Sequence, residues 1–178
     1  LVGSEMCIRD RERGVLGKDR DSSIYFNRVV QGVYEMGSTF KIFSVAQGLE
    51  KDLFTLDTLI DTRAFRINSR KIEDKYKFNS ESSIYEIIVR SSNVGSARLA
   101  LMVGEKGLKE IFSKLGLSEP VRLELREANT TRPILPKNWH EITLATVSYG
   151  YGMSVSLLHL AKAYAILGNG AVSYTHLR

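Results

Sequence analysis

Ser38 and Lys41, three residues apart in "YEMGSTFKIFSVA", are the first pair in the chain whose types and spacing could do chemistry. A serine hydroxyl is a weak nucleophile at neutral pH. It needs a positioned base and a way to stabilise the oxyanion that forms when it attacks a carbonyl. On a helix, residues i and i+3 share a face, so a lysine amine one turn beyond a serine can reach its hydroxyl. The helix start adds free N–H groups and a positive dipole end, both favouring developing negative charge. Burial would favour the neutral lysine, the form a base needs. The plainer alternative is a serine cap followed by a solvated lysine. Gly37, which suits a close backbone approach, and Phe40, Ile42 and Phe43 around Lys41 favour a buried lysine with work or a partner.

A candidate partner is "SSN", Ser91, Ser92 and Asn93, at a break between two helical patterns. The Ser91 hydroxyl could pass a proton between Lys41 and a leaving group, and the Asn93 amide could hold a substrate peptide bond by one donor and one acceptor. Taken alone the triplet is also an ordinary turn or cap. His140 and His159 read as structural, because a Ser/Lys arrangement needs no histidine, His159 fits a helix face and His140 stands beside Trp139. Tyr149 and Tyr151, interleaved with Gly150 and Gly152, read as a packed turn behind the site. The sequence carries no metal-ligand cluster, dinucleotide fingerprint or phosphate loop, so neither metal nor cofactor is expected.

The elements that must position these residues follow from periodicity. Phe40, Phe43, Val45, Ala46 and Leu49 recur at helical spacing and predict an amphipathic helix ending near Lys51 or Asp52. Residues 53–62 read as an extended crossing into a small hairpin, with Phe65, Ile67 and Ile72 around an Asn68-Ser69 turn. Ser83 and Glu86 give a capping signal for a short helix through Val89. After the break come a helix through Ala97 to Val103 and a further one bearing Leu108, Ile111, Phe112 and Leu115, with Gly116 as its C-cap. A loop and short helix cover "RPILPKNWHEITLATVSYGYG", and a last amphipathic helix is capped by Gly168 or Gly170.

At 178 residues the chain suits one domain with a sizeable core, and its 43% hydrophobic and 25% charged residues are those of an ordinary globular protein. No apolar run approaches membrane-spanning length. The formal charge of +5 is scattered among acids instead of forming a block, so no nucleic-acid partner is expected. The single cysteine, Cys7, excludes an internal disulfide. Residues 1–11 and 172–178 join no period of the interior and resemble translated sequencing adapter. They are expected to be non-native, leaving residues 12–171 as a partial domain of a gene cut at both ends.

S-x-x-K followed by a Ser-x-Asn element is two thirds of a motif set whose third member is K-[ST]-G. Together with "FNRVVQGVYEMGSTFKIFSVAQGLE", "IVRSSNVGSARLALMVG" and "TVSYGYGMSVSLLHLAKAYAILGNG", this resembles the transpeptidase domain of class B penicillin-binding proteins, nearest the division-specific septal (FtsI-like) type. The resemblance covers roughly residues 25–171. It implies an α+β penicillin-binding transpeptidase (β-lactamase-like) fold, a central antiparallel sheet flanked by helices beside an all-helical region. This stretch would be mainly α, with a small hairpin near residues 63–74, most of the sheet missing and an apolar face exposed where the sheet belongs. The implied reaction acylates Ser38 with the penultimate D-alanine of a peptidoglycan stem peptide, releases the terminal D-alanine, and passes the acyl group to an amine on a neighbouring strand. Lys41 would be the base, Ser91 the proton relay and Asn93 a substrate-orienting residue, while Ser38 would bind substrate through its backbone N–H as half of an oxyanion hole. β-Lactam antibiotics as covalent ligands, other division proteins as partners, and a periplasmic catalytic domain anchored in the inner membrane are implied too.

Two departures stand out. No lysine begins a K-[ST]-G, which removes the substrate-carboxylate site and the other half of the oxyanion hole, and Leu157 occupies a position where the family usually has proline, weakening the definition of that helix start. A β-lactamase would need a water-activating glutamate, for which Glu124 and Glu127 are present in "RLELREANT". A β-lactam-sensing receptor domain or a helical interaction module complete the alternatives.

Overall fold

The computed structural model describes residues 26–122 and 126–169. Residues 1–11 and 172–178, together with Glu124 and Gly170, lie outside the described residues. The helix expected from Gly37 begins as a 3-10 turn, Gly37–Phe40, and continues as α1, Lys41–Glu50. Four strands of three residues follow: β1, Leu59–Asp61; β2, Phe65–Ile67; β3, Arg70–Ile72; and β4, Glu81–Ser83. The remaining helices are α2, Ile84–Val89; α3, Asn93–Lys114; α4, Arg126–Thr130; α5, Glu141–Ser148; and α6, Leu157–Gly168.

The expected hairpin is β2 paired antiparallel with β3, turning at Asn68, whose φ of 53° an asparagine tolerates better than most residues. A second ladder has no counterpart in the sequence pattern: β1 pairs antiparallel with β4, setting Ile60 opposite Ser82. By sequence, residues 81–83 read only as the approach to a cap. They do both jobs, since Ser83 ends β4 and opens α2, its Oγ accepting from Glu86 N–H while the Glu86 carboxylate accepts from Ser83 N–H, each at 3.2 Å. The described portion is thus mainly helical with two small antiparallel sheets.

Helix α3 is the element around which the rest packs. Its Ala100, Leu108, Ile111 and Phe112 join Phe40 of the 3-10 turn and Phe43 of α1 in the largest apolar cluster. Its Leu99 meets Val45, Phe54, Ile60, Ile84 and Ile87 in a second, and its Val94 and Ala97 meet Ile67, Ile72 and Ala145 in a third. The two helices expected on either side of "VGEKG" are both present and follow one another without a loop inside α3, divided by a kink at Gly104 with φ 72° and ψ 174°. That region is essentially reserved for glycine. Helix α6 begins sharply at Leu157 despite the missing proline, because Ser156 caps it by accepting from His159 N–H. It ends with Gly168 as its last helical residue and Asn169 as the cap.

Among the described residues an apolar groove of about 310 Å³ lies between α1 and α2, lined by Ile42, Val45, Leu49, Leu56, Tyr85 and Val89 among others.

An added Cβ at Gly104 meets no atom within 4 Å, so a side chain there is opposed by backbone conformation alone. Gly104→Ala should therefore cost about 1–3 kcal/mol of stability without disturbing packing, measurable as a shifted urea midpoint with unchanged m-value.

Candidate active site

Ser38 lies exposed in the 3-10 turn, and neither boundary residue of that turn or of α1, Met36 or Phe40, caps it with a side chain. Among the described residues the Ser38 hydroxyl makes no hydrogen bond, so the cap reading of Ser38 is not realised. Lys41 is not solvated either: it is 3% exposed, at the start of α1. Its Nζ donates to the Ser91 carbonyl at 2.6 Å and reaches the Ser91 Oγ at 2.8 Å. Burial is the main cause of a pKa lowered from the usual lysine range to about 8, with the Asp74 carboxylate opposing the shift. A substantial neutral fraction at mildly alkaline pH follows. A neutral amine can keep its bond to the Ser91 carbonyl while its lone pair accepts a proton.

Ser91 is presented by an unusual helix end. Helix α2 closes with Ser92 N–H donating to the Ile87 carbonyl at 2.9 Å and Ser91 N–H to the Ile88 carbonyl at 3.2 Å, a Schellman arrangement. Its left-handed position, normally glycine, is Ser91 at φ 59°. Strain is accepted there in exchange for a hydroxyl and a carbonyl aimed together at Lys41.

The three residues of "SSN" divide the work. Ser92 is fully buried and caps α3, accepting from Gly95 N–H at 2.9 Å. Asn93, half-buried, opens α3, and among the described residues nothing engages its side-chain amide. Behind both stands Asp74, which sequence reasoning missed: it accepts from Ser92 Oγ at 2.7 Å, from Val94 N–H at 3.2 Å and from Asn93 N–H. A carboxylate on the first N–H groups of a helix is favourable, and here it fixes the register of the triplet. Its surroundings, "RKIEDKYK", read as a solvated charged face.

The turn that carries Ser38 is held from the other side by the glycine-tyrosine loop. Tyr34 exchanges two backbone bonds with Val155, at 2.9 and 3.0 Å, and Gly37 N–H donates to the Gly150 carbonyl at 3.2 Å. The Glu35 carboxylate accepts from Gly152 N–H at 2.7 Å. An added Cβ at Gly150 would sit 2.0 Å from the Gly37 carbonyl oxygen, at a φ of 83°. Only glycine permits this approach. Tyr149 and Tyr151 contact each other at 6.0 Å between ring centroids, but the packed turn expected of both holds only in part, since Tyr149 is half-buried and Tyr151 is exposed. From α6, the Tyr164 hydroxyl donates to the Thr39 carbonyl at 2.7 Å.

His159 is structural, as expected: it is 1% exposed, with Nδ1 2.7 Å from Ser156 Oγ and Nε2 3.0 Å from the Glu119 carbonyl. A carbonyl only accepts, so Nε2 carries the proton and Nδ1 accepts from Ser156. Burial, partly offset by that carbonyl, lowers the His159 pKa and keeps the ring neutral. His140 is the N-cap position of α5, where its carbonyl accepts from Leu144 N–H at 3.0 Å and its side chain makes no capping bond. Glu127 lies in α4, and its carbonyl accepts from Thr130 and Thr131. Among the described residues no group of three or more His, Cys, Asp or Glu side chains is arranged to hold a metal ion.

The fold thus gathers an exposed serine at a helix start, a buried lysine one turn on, and a Ser-x-Asn break against that lysine. The chain belongs to the penicillin binding protein transpeptidase domain family, whose model matches residues 11–177. It is 41% identical over 81% of its length to a probable peptidoglycan D,D-transpeptidase FtsI of Caulobacter vibrioides, and 33% identical over 80% to peptidoglycan D,D-transpeptidase FtsI of Escherichia coli K12. It spans 24% of each of those relatives. Among solved structures it superposes on the transpeptidase domain of Burkholderia pseudomallei penicillin-binding protein 3 with a TM-score of 0.74 and 32% identity. That match covers 79% of this chain and 43% of the other.

Two outcomes follow from the geometry. Ser91→Ala keeps the left-handed strain while Ser91→Gly relieves it, so the glycine variant should be the more stable of the two by about 1 kcal/mol in denaturant unfolding. For Lys41, Asp74 raises the pKa, so Asp74→Asn should move the alkaline-rising limb of any Lys41-dependent acylation to lower pH than its parent's midpoint near 8. The maximal rate should fall as the triplet loses its anchor, a split visible in a stopped-flow pH profile.

Proposed function

We propose that this chain is part of a peptidoglycan D,D-transpeptidase of septal cell-wall synthesis, working through an acyl-serine intermediate on Ser38. The observation that carries the reading is the buried Lys41 amine, 2.8 Å from Ser91 Oγ and one turn beyond an exposed serine whose hydroxyl makes no hydrogen bond among the described residues. In the reaction, Ser38 Oγ attacks the carbonyl of the penultimate D-alanine and neutral Lys41 takes its proton. The oxyanion is met by Ser38 N–H and by a donor that the family's K-[ST]-G strand would supply. Ser91 relays a proton from Lys41 to the departing D-alanine nitrogen as the C–N bond breaks. An amine of a second stem peptide then attacks the ester, and its proton returns along the same route to re-form the Ser38 hydroxyl. The free Asn93 amide is suited to hold the donor peptide bond. β-Lactams would enter by the same attack, but the opened ring stays attached and no leaving group makes room for the acceptor.

The names of the FtsI relatives support the septal assignment, and the family resemblance supports division proteins as partners and a catalytic domain on the outer side of the cytoplasmic membrane. Among the described residues no helix is long and apolar enough to cross a membrane. Without a K-[ST]-G strand, residues 1–178 should acylate poorly on their own.

The test is labelling by a fluorescent penicillin of two proteins: the chain itself, and a chimera in which residues 26–169 replace the matching stretch of the Caulobacter relative. The chimera should label at Ser38, Ser38→Ala should abolish the signal, and Ser91→Ala should slow labelling by about 10²-fold. A folded chimera that takes no label, or that labels equally without Ser38, would remove the acyl-serine reading.

A further inference from the structure

Between β3 and β4 the chain forms an arch whose two ends are fastened on either side of Ser91. At one end Asp74 is bonded to Ser92 Oγ and to the N–H groups of Asn93 and Val94. At the other, the Arg90 guanidinium lies 4.3 Å from the centroid of the Phe78 ring and donates to the Lys77 carbonyl at 2.9 Å. Arg90 and Ser92 are the immediate neighbours of Ser91, so the intervening Lys75-Tyr76-Lys77 must run along the rim of the site.

All three of these residues face solvent. Tyr76 is 68% exposed, with the Lys75 ammonium 5.6 Å from its ring centroid. The acids that could neutralise the arch are already engaged. Asp74 holds the triplet, Glu73 pairs with Lys71, and Glu86 completes the cap of α2. Among the described residues neither Lys75 nor Lys77 has an acidic partner. A large ring left in water between two unpaired cations contributes little to folding. It is what a ligand with ring faces and carboxylates would use, the ring through C–H and cation contacts and the lysines through charge-assisted hydrogen bonds.

We propose that Lys75, Tyr76 and Lys77 form a binding rim for the glycan strand that carries the acidic stem peptide. Sugar faces pack on Tyr76 and peptide carboxylates bind the two ammonium groups, so that the strand lies beside Ser91 while its peptide enters the site. The identity of the strand rests on the transpeptidase reading above. A penicillin, which has no glycan, does not reach the arch.

The test measures binding of fluorescent, soluble, uncrosslinked peptidoglycan strands to the full chain and to the chimera by anisotropy, with a heparin fragment as an anionic polysaccharide lacking peptides. Tyr76→Ala and the double variant Lys75→Gln with Lys77→Gln should each weaken strand binding by about 5-fold or more. Penicillin labelling of Ser38 in the chimera should stay at the parent's rate in both variants, and Tyr76→Ala should leave heparin binding unchanged. Strands that bind parent and variants alike, or do not bind the parent, overturn the rim. So does a Lys double variant that weakens heparin and strands equally while Tyr76→Ala affects neither, because charge alone would then account for binding. Strand binding that depends on the arch in a chimera that takes no penicillin would count against the acyl-serine reading and leave the rim standing.

Discussion

The structure is organised around one enclosed amine. Lys41 would be more stable in water as an ammonium, yet α1 begins by burying it and turning its Nζ onto Ser91, 50 residues along the chain. Once that amine is enclosed, much else is required. The α2–α3 break must lie against the N-terminus of α1, a donor or acceptor must meet each face of the amine, and a charge must sit near enough to moderate its basicity without pairing with it. Ser91 and Asp74 meet the last two conditions. The packing of α3 against α1 meets the first.

The local costs gather where the polar groups are, and the apolar clusters oppose them. Ser91 is held in a backbone region that disfavours side chains, and Gly37 and Gly150 touch at a distance that excludes even a methyl group. Both would relax in a loosely packed molecule. Three clusters meeting on α3 prevent it, including the edge-to-face contacts of Phe40 with Phe43 at 5.0 Å and with Phe112 at 6.0 Å, directly behind the serine turn. The kink at Gly104 divides α3 into a first half that displays Asn93 and joins all three clusters and a second half that fills the largest one.

Much of this was legible in the residues. The apolar sequence around Lys41 announces its burial, and the polar triplet at a break between helical patterns marks the place where Ser91 meets it, although each motif alone is an ordinary cap or turn. The Asn68 turn and the Ser83 cap are local signals and appeared where expected. What escaped was non-local. The β1–β4 ladder joins two three-residue strands separated by a hairpin, too short to alternate convincingly. Asp74 looks like any charge in a basic stretch until the fold brings three donors to it. Gly104 is one glycine among many, and only the geometry of the chain around it distinguishes a kink from a cap.

The tie between Gly37 and Gly150, with the Tyr34–Val155 pair beside it, also sets an order of events during synthesis. A ribosome delivers Ser38 and Lys41 early, and α1 can begin to form from its own residues. The turn that carries the serine lacks its second wall until the tyrosine-glycine loop has emerged more than a hundred residues later, and contacts so distant in sequence are slow to close. The turn around Ser38 is therefore completed late, by residues that lie far along the chain from it.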